Sequence, residues 1–309
     1  MSEQINLANN LNNSLPEELV ALTKQATAIA TSKNLPLYLV GGIVRDLLLG
    51  QRNLDLDLVV EGNVIDMAKE FAEKVGGKLT VHNRFNTAKI ILDNWTIDMA
   101  MARTETYARP GALPVVTPGT LKTDLFRRDF TVNAMAVSLN PDNYGELIDL
   151  YSGLNDLKKK YIRILHEKSF IDDATRIWRA IRYEQHLNFQ IEPDTLRLLR
   201  RNVTMLKTVG GYRQRRELEL VLKEIEPEKA LVRAAGLGVL KELNPSLAAD
   251  EWLTSSFRAA RLSGRANPDF YLGMLTYRLT NDEVLQLTKY LRLSAQQVLA
   301  IHEIRDIIF

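Results

Sequence analysis

The sequence predicts an α+β protein, with a mixed-sheet head followed by an all-helical neck and body. Three observations carry this. Strand-length and helix-length segments alternate from Leu37 onward, and strands then run together as far as Ala102. A Gly41-Gly42 turn leads into an amphipathic helix and then an alternating Leu-Asp run. Beyond about Tyr161 no strand pattern recurs, and only helix-length segments remain. The 309 residues exceed one ordinary domain, so the chain is divided into residues 1–33 (N-terminal segment and helix), 34–158 (head), 159–225 (neck) and 226–309 (body).

Residues up to Asn13 read as disordered. Ser14-Leu15-Pro16-Glu17 reads as a capping box with proline in the first turn, opening a helix to about Ser32 that should pack on the sheet edge. From Leu37 to Gly62 come an apolar strand, the glycine turn, a helix carrying Arg45, and a second strand carrying Asp55 and Asp57. A helix from about Val64 to Val75 follows, closed by Gly76-Gly77. Strands are then expected around Leu79 to His82, Thr87 to Leu92 and Trp95 to Ala102, making a mixed sheet with helices on one side. Arg103 to Leu125 holds three prolines and two glycines with little periodicity and reads as a long loop. Arg127, Arg128 and Asp129 lead an expected helix whose Phe130, Ala134 and Val137 face inward, and Leu147 to Leu150 is a last strand. Helices are expected near Asp172 to Leu187, Pro193 to Leu206, Gly211 to Lys223, Pro227 to Ala235, Ala249 to Leu262, Asp269 to Tyr277, Asp282 to Tyr290 and Ala295 to Ile308.

The chemistry concentrates where two carboxylates enter an apolar strand. Successive strand side chains alternate between faces, so Asp55 and Asp57 project from one face about 7 Å apart, while Leu54, Leu56 and Leu58 take the other and join the core. Ionised carboxylates so close repel unless a cation lies between them. A hard divalent ion with oxygen ligands, Mg²⁺, is the expected occupant. The side-chain-free Gly41-Gly42 turn would present backbone N–H groups to a phosphate.

Composition narrows the class. There is no cysteine, which excludes disulfides and thiolate metal sites and is consistent with the cytoplasm. The polar start has no signal-peptide pattern, and no apolar run approaches the roughly 20 residues that span a bilayer. A net charge of +2 does not by itself announce a nucleic-acid partner, so such binding must rest on local patches.

The residues GG-x-V-R-D followed by D-x-D, the decapeptide RRDFTVNAMA at Arg127 to Ala136, and DDATRIWRAIRY at Asp172 to Tyr183 together resemble the class II tRNA nucleotidyltransferases (CCA-adding enzymes) and bacterial poly(A) polymerases of the polymerase-beta superfamily. The resemblance implies a nucleotidyltransferase head in which Asp55 and Asp57 hold the metal and Asp98, inside a neighbouring strand, is a third catalytic carboxylate. It implies that Gly41, Gly42, Arg45, Arg127 and Arg128 orient a triphosphate, and that Asp129 and Asn133 belong to the same nucleotide site; Asp129 suits a ribose hydroxyl. The loop after Arg103 is associated in the family with adding a terminal A. The family's bodies usually continue further, so the uncapped apolar end VLAIHEIRDIIF reads as that of a chain cut short.

Asp173, Arg176, Arg179 and Arg182 are spaced by three and form one drifting polar stripe on the expected helix. The resemblance implies that this stripe reads the incoming base. A and C each offer a ring-nitrogen acceptor beside an amino donor, matched by the Arg176 guanidinium and the Asp173 carboxylate, whereas G and U present the reverse order. The family's usual Glu-Asp is Asp172-Asp173 here. A basic group of Arg197, Arg200, Arg201, Lys207, Arg213, Arg215 and Arg216 could neutralise RNA phosphates, although Glu217, Glu219 and Glu224 partly offset it. The expected activity is template-independent addition of C or A, from CTP and ATP, to a tRNA 3′ end. The rivals are A addition alone, CC addition, poly(A) tailing, and a catalytically silent RNA-binding protein.

Overall fold

The computed structural model describes residues 5–308; the expectations for Met1 to Gln4 and Phe309 lie outside them. The chain forms two compact units, one through Thr106 plus Pro114–Leu165, the other Tyr107–Leu113 plus His166 onward. Among the described residues no helix is long and apolar enough to cross a membrane.

The first unit begins with α1 (Ala8–Ser14) and α2 (Glu17–Ser32). Ala8–Ser14 is therefore helical where the sequence reads as disordered, because Leu7, Leu11 and Leu15 are buried in the main core. The expected capping box is absent. Pro16 precedes α2 with no side-chain cap, since Ser14 closes the helix before it. Then come β1 (Leu37–Val40), α3 (Gly42–Leu48), β2 (Leu56–Val60), α4 (Val64–Val75), β3 (Lys78–His82), β4 (Thr87–Ile91) and β5 (Thr96–Met101). Next are β6 (Arg103–Thr106), β7 (Val115–Pro118), α5 (Leu121–Phe126), β8 (Ala136–Ser138), β9 (Leu147–Ile148), α6 (Gly153–Lys159) and the short β10 (Tyr161–Ile162).

Seven strands make one mixed sheet in the order β3-β4-β5-β2-β1-β8-β9. All its described pairings are antiparallel except β2 with β5. Leu56, Leu58 and Val60 enter the main core with α2, α3 and α4, as the alternation requires. The opposite face carries Val40, Val59, Ala102 and Ala136 and is covered by Leu121 and Leu125 of α5. Helices thus pack on both faces, not on one.

Two local expectations fail for physical reasons. Arg103 to Leu125 is no simple loop: β6 and β7 pair antiparallel and α5 begins at Leu121. RRDFTVNAMA is no helix: α5 ends before Arg127, Thr131–Asn133 is a 3₁₀ turn, and β8 follows. Phe130, Ala134 and Val137 are nevertheless fully buried. Every residue of β8 is buried, so it lacks the alternation that marks a half-exposed strand.

The second unit is helical: α7 (Ser169–Asp172), α8 (Thr175–His186), α9 (Pro193–Asn202), α10 (Gly211–Leu222), α11 (Pro227–Gly236), α12 (Val239–Leu243), α13 (Glu251–Leu262), α14 (Pro268–Leu275), α15 (Asn281–Leu291) and α16 (Ala295–Ile308). A two-residue strand, Gln190–Ile191, is the exception to the all-helical expectation.

Candidate active site

β2 sets the geometry. Asp57 lies on the sheet face away from the main core, half-buried, while Asp55 immediately precedes the strand, is exposed, and donates its backbone N–H to Asn53 Oδ1 at 2.9 Å. β5 runs parallel beside β2 in a register that puts Asp98 next to Asp57. Burial pushes the Asp57 carboxyl up to about 6; Asp98 and Asp55 add to this, and Arg128 and Lys89 oppose it. Asp98 accepts from Lys89 Nζ at 2.7 Å. Among the described residues no group of three or more acidic, His or Cys side chains forms a ready-made metal cage. Asp55 and Asp57 nonetheless fit a hard divalent ion: both donors are oxygens, and the neighbouring carboxylate charge that adds to the rise at Asp57 is what a cation would offset.

Gly41 holds φ +81° and lies between the strand and the arginines. A Cβ there would sit 3.0 Å from Arg128 Nη1 and 3.7 Å from Asp57 Oδ2, so the glycine admits a close approach of groups as well as the turn. Gly42 begins α3, whose Arg45 is buried and held on three sides. Its Nε and Nη2 donate to Asp46 Oδ1 and Oδ2 at 2.7 and 2.9 Å, and its Nη1 to Asn133 Oδ1 at 2.7 Å. Asn53 Nδ2 donates to Asp46 Oδ2 at 2.6 Å, and Asn133 Nδ2 to Asp129 Oδ1 at 3.1 Å. A chain of side-chain bonds therefore runs from Asn53, beside Asp55, through Asp46, Arg45 and Asn133 to Asp129. Arg45 and Asn133 hold the loops of the site together. Asp129 Oδ1 also accepts the Phe130 N–H at 2.8 Å.

Arg127 and Arg128 share Asp124, which is wholly buried on α5. Arg127 donates to its Oδ1 from Nε and Nη2 at 2.9 and 2.7 Å, and Arg128 Nη2 to its Oδ2 at 3.0 Å. Burial alone would raise the Asp124 carboxyl, but the two guanidinium charges outweigh it and hold it below the usual range. Arg127 also reaches Glu105 at 3.1 Å, which takes Arg103 at 2.8 Å. Arg128 Nε is buried without a hydrogen-bond partner. Asp46, Asn53 and Asp124 are site residues that the sequence analysis did not single out; Asp46 was discoverable as the last residue of GG-x-V-R-D.

In the second unit Asp173 precedes α8, so it does not share one helical stripe with Arg176, Arg179 and Arg182. Its Oδ1 accepts from Thr175 N and Oγ1 at 3.0 and 2.7 Å, and its Oδ2 from Arg213 Nη2 at 2.7 Å. Arg176 is buried and donates from Nη1 to Ser169 Oγ at 2.7 Å. Burial and then the Arg176 charge hold the nearby His166 below its ordinary value. Arg179 and Arg182 lie 5.5 and 4.7 Å over the Tyr183 ring, and Arg182 is 3.6 Å from Glu224. Of the basic group, Arg213 is bound to Asp173, and Arg215 donates to the Arg292 carbonyl and lies 3.4 Å from Glu219. Arg197 pairs with Asp194 at 3.1 Å and Lys207 with Glu242 at 3.5 Å. Arg200, Arg201 and Arg216 are exposed.

Comparison with known proteins agrees with these units. Residues 37–163 match the Poly A polymerase head domain, and residues 188–251 the probable RNA and SrmB-binding site of polymerase A. The chain is 45% identical over 240 residues to an A-adding tRNA nucleotidyltransferase of Geobacter sulfurreducens, covering 77% of this chain and 27% of that protein. It thus spans only about a quarter of that relative's length. It is 33% identical to a CC-adding tRNA nucleotidyltransferase of Deinococcus radiodurans, over 86% of this chain and 79% of the other. A solved structure of the Thermotoga maritima CCA-adding enzyme complexed with tRNA superposes with a TM-score of 0.83 at 35% identity, over 99% of this chain and 74% of that one.

Proposed function

The chain belongs to the tRNA nucleotidyltransferase family, and from that premise we propose that it adds C, A or both to the 3′ end of tRNA without a template, in the cytoplasm, using CTP and ATP. The observation that carries this reading is Asp57, with Asp55 two residues before it, set beside Gly41 and Arg128. Asp55 and Asp57 would hold Mg²⁺. That metal, when bound, lowers the pKa of the attacking RNA 3′-hydroxyl and neutralises charge on the triphosphate as pyrophosphate leaves. The chain's own groups orient the reactants. Arg128, fixed by Asp124 and with Nε still to be satisfied, donates to phosphate oxygens, with Arg127 on the same carboxylate and the Gly41-Gly42 turn giving close backbone approach. Asp98, next to Asp57, supports the metal through its charge. Arg45 and Asn133 keep Asp129 placed for a ribose hydroxyl.

In the second unit Asp173 accepts from the exocyclic amino group of A or C, and Arg176 donates to the ring nitrogen. A carboxylate oxygen has two lone pairs, so the bonds from Thr175 and Arg213 leave Asp173 capacity for a base. Arg179 and Arg182 follow Arg176 along α8. Exposed Arg200, Arg201 and Arg216, with Arg197 beside them, are the proposed contacts to tRNA phosphates.

The test is incubation with tRNA transcripts ending before CCA, after the first C and after CC, and with an unrelated RNA, supplying each nucleoside triphosphate in turn. Addition of C, of A or of both to tRNA alone, with G and U refused, is expected. No incorporation with any transcript would overturn the enzyme reading in favour of a silent RNA-binding protein. A second reading, addition of the terminal A only, is favoured by the 45% identity to an A-adding relative against 33% to a CC-adding one. It predicts activity only on transcripts ending in CC.

A further inference from the structure

Strand register places more than carboxylates at the site. Thr80 on β3 pairs with Lys89 on β4, Lys89 with Asp98 on β5, and Asp98 with Asp57 on β2, so one row of side chains crosses four strands on a single face. The residues between them, Ala88, Ile90, Ile97 and Met99, turn the other way into the main core. The outer part of the row is open: Thr80 is exposed, and Lys89 and Asp98 are half-exposed. Among the described residues the Lys89 ammonium has one hydrogen-bond acceptor, Asp98 Oδ2 at 2.7 Å, which leaves two of its three N–H groups. Its charge also opposes the rise of the Asp57 carboxyl. The two sides of Asp57 are therefore unlike. On the β1 side stand Gly41 and the Arg128 guanidinium; on the β5 side stand Asp98 and, one strand further out, Lys89.

In an in-line displacement the attacking and leaving oxygens lie on opposite sides of the phosphorus. With the triphosphate, and so the departing pyrophosphate, on the β1 side, the RNA 3′-hydroxyl enters from the β5 side, over Asp98. We infer that the open face of β3, β4 and β5 carries the single-stranded 3′ end of the RNA acceptor, and that Lys89 binds the phosphate joining its last two nucleotides. This rests on the reading of Asp57, Gly41 and Arg128 as the reaction site. The phosphate lies one nucleotide back from the hydroxyl, and Lys89 lies one strand, about 4.8 Å, beyond Asp98. Charge requires a cation at this point. An RNA strand brought against Asp55, Asp57 and Asp98 is repelled, and an ammonium that donates to Asp98 with one N–H and to a phosphate with another offsets that repulsion. Lysine suits the task. Its point charge on a flexible stem follows a backbone phosphate without reading a base, as an acceptor whose last base changes with each addition requires.

The test uses the full chain and a tRNA whose 3′ segment is synthesised with a neutral methylphosphonate, either at the last internucleotide linkage or at one well upstream. KM for the RNA, KM for the nucleoside triphosphate, and RNA affinity against salt are measured for wild type, Lys89→Met and Lys89→Arg, and melting temperature is followed for each. Lys89→Met should raise KM for the RNA by about fivefold, leave KM for the triphosphate near wild type, and flatten log affinity against log salt by about 0.7. Lys89→Arg, which keeps the charge, should restore most of the loss. The methylphosphonate at the last linkage should weaken wild type by a similar factor and Lys89→Met little further, because residue and phosphate form one contact; the upstream one should act on both proteins alike. Equal penalties on wild type and Lys89→Met from the last linkage would overturn the contact and leave Lys89 a partner of Asp98 alone. A rise in KM for the triphosphate with the RNA values unchanged would put the RNA on the other side of Asp57 and overturn the proposed track. If wild type extends no RNA, the reaction reading itself fails and the assignment of Lys89 falls with it.

Discussion

A carboxyl that releases its proton near pH 6 makes the protein's stability depend on pH in an unusual direction. Asp57 has its ordinary value of 3.8 raised to about 6, first by burial and then by Asp98 and Asp55. Between about pH 4 and 6 the folded chain holds a proton that the unfolded chain has released, so this contribution to stability is full below pH 4 and is lost as pH rises through 6. Without metal, thermal melts should show that loss. Mg²⁺ should raise the melting temperature more at pH 7.5 than at pH 5, and Asp57→Asn should flatten both responses. Equal effects of Mg²⁺ at the two pH values would place the metal elsewhere. Asp55→Ala or Asp57→Ala should abolish nucleotide incorporation while leaving tRNA binding nearly intact in filter or fluorescence assays; turnover within about tenfold of wild type would remove these residues from the chemistry. The place of Asp57, on the sheet face opposite the buried leucines, was legible in the sequence because strand side chains alternate between faces, whereas Asp55, expected in the same strand, lies just before it. Asn53 was not, because it acts only through Asp46 in a chain of side-chain bonds whose longest step, Arg45 to Asn133, spans 88 residues, a separation that no local pattern reports; Asp124 lies only three and four residues before the arginines it holds, and it was missed because the helix was expected to start after it.

At the scale of elements, the eight longer helices described in the second unit were legible to within a few residues, since their apolar spacing and their Pro or Gly punctuation are local signals, while the short α7 and α12 were missed because a helix of four or five residues shows no full period. RRDFTVNAMA was misread because Phe130, Ala134 and Val137 are spaced four and three apart, a helical interval that also arises where a 3₁₀ turn passes into a fully buried strand. The β6–β7 hairpin escaped because β6 is RTET, polar and half-buried, with no apolar face to announce it. Packing of elements also gives a stability prediction. Gly211 opens α10 where a Cβ would come 1.8 Å from the Tyr290 carbonyl oxygen at the end of α15, and a backbone atom cannot rotate away. Gly211→Ala should force the two helices apart and lower unfolding free energy by about 2–4 kcal/mol in urea titrations. A change within about 0.5 kcal/mol would show that the two helices separate freely at that point.

For the whole molecule, the basic group divides into two classes that the sequence cannot separate. Arg213 and Arg215 are bound within the second unit, while Arg200, Arg201 and Arg216 are exposed. Neutralising the exposed three should weaken tRNA binding and flatten its dependence on log salt by about 0.7 to 0.9 per lost phosphate contact. Replacing Arg213 should instead disturb base choice by releasing Asp173. An unchanged salt slope in the first case would move the RNA-docking surface elsewhere. The sheet's far edge has a consequence of another kind. β9 is only two residues long, and it is completed by Ile5 and Leu7, which exchange backbone bonds with Leu147 and Gly145 at 2.9 and 2.7 Å while Asn6 reaches the Tyr144 carbonyl, 138 residues away. During synthesis at roughly 5–20 residues per second, Ile5–Leu7 therefore waits on the order of ten seconds before its partner leaves the ribosome. Until then the backbone groups of Ile5 and Leu7 have no strand to pair with, although the core that Leu7, Leu11 and Leu15 enter is built mostly from residues made before that strand.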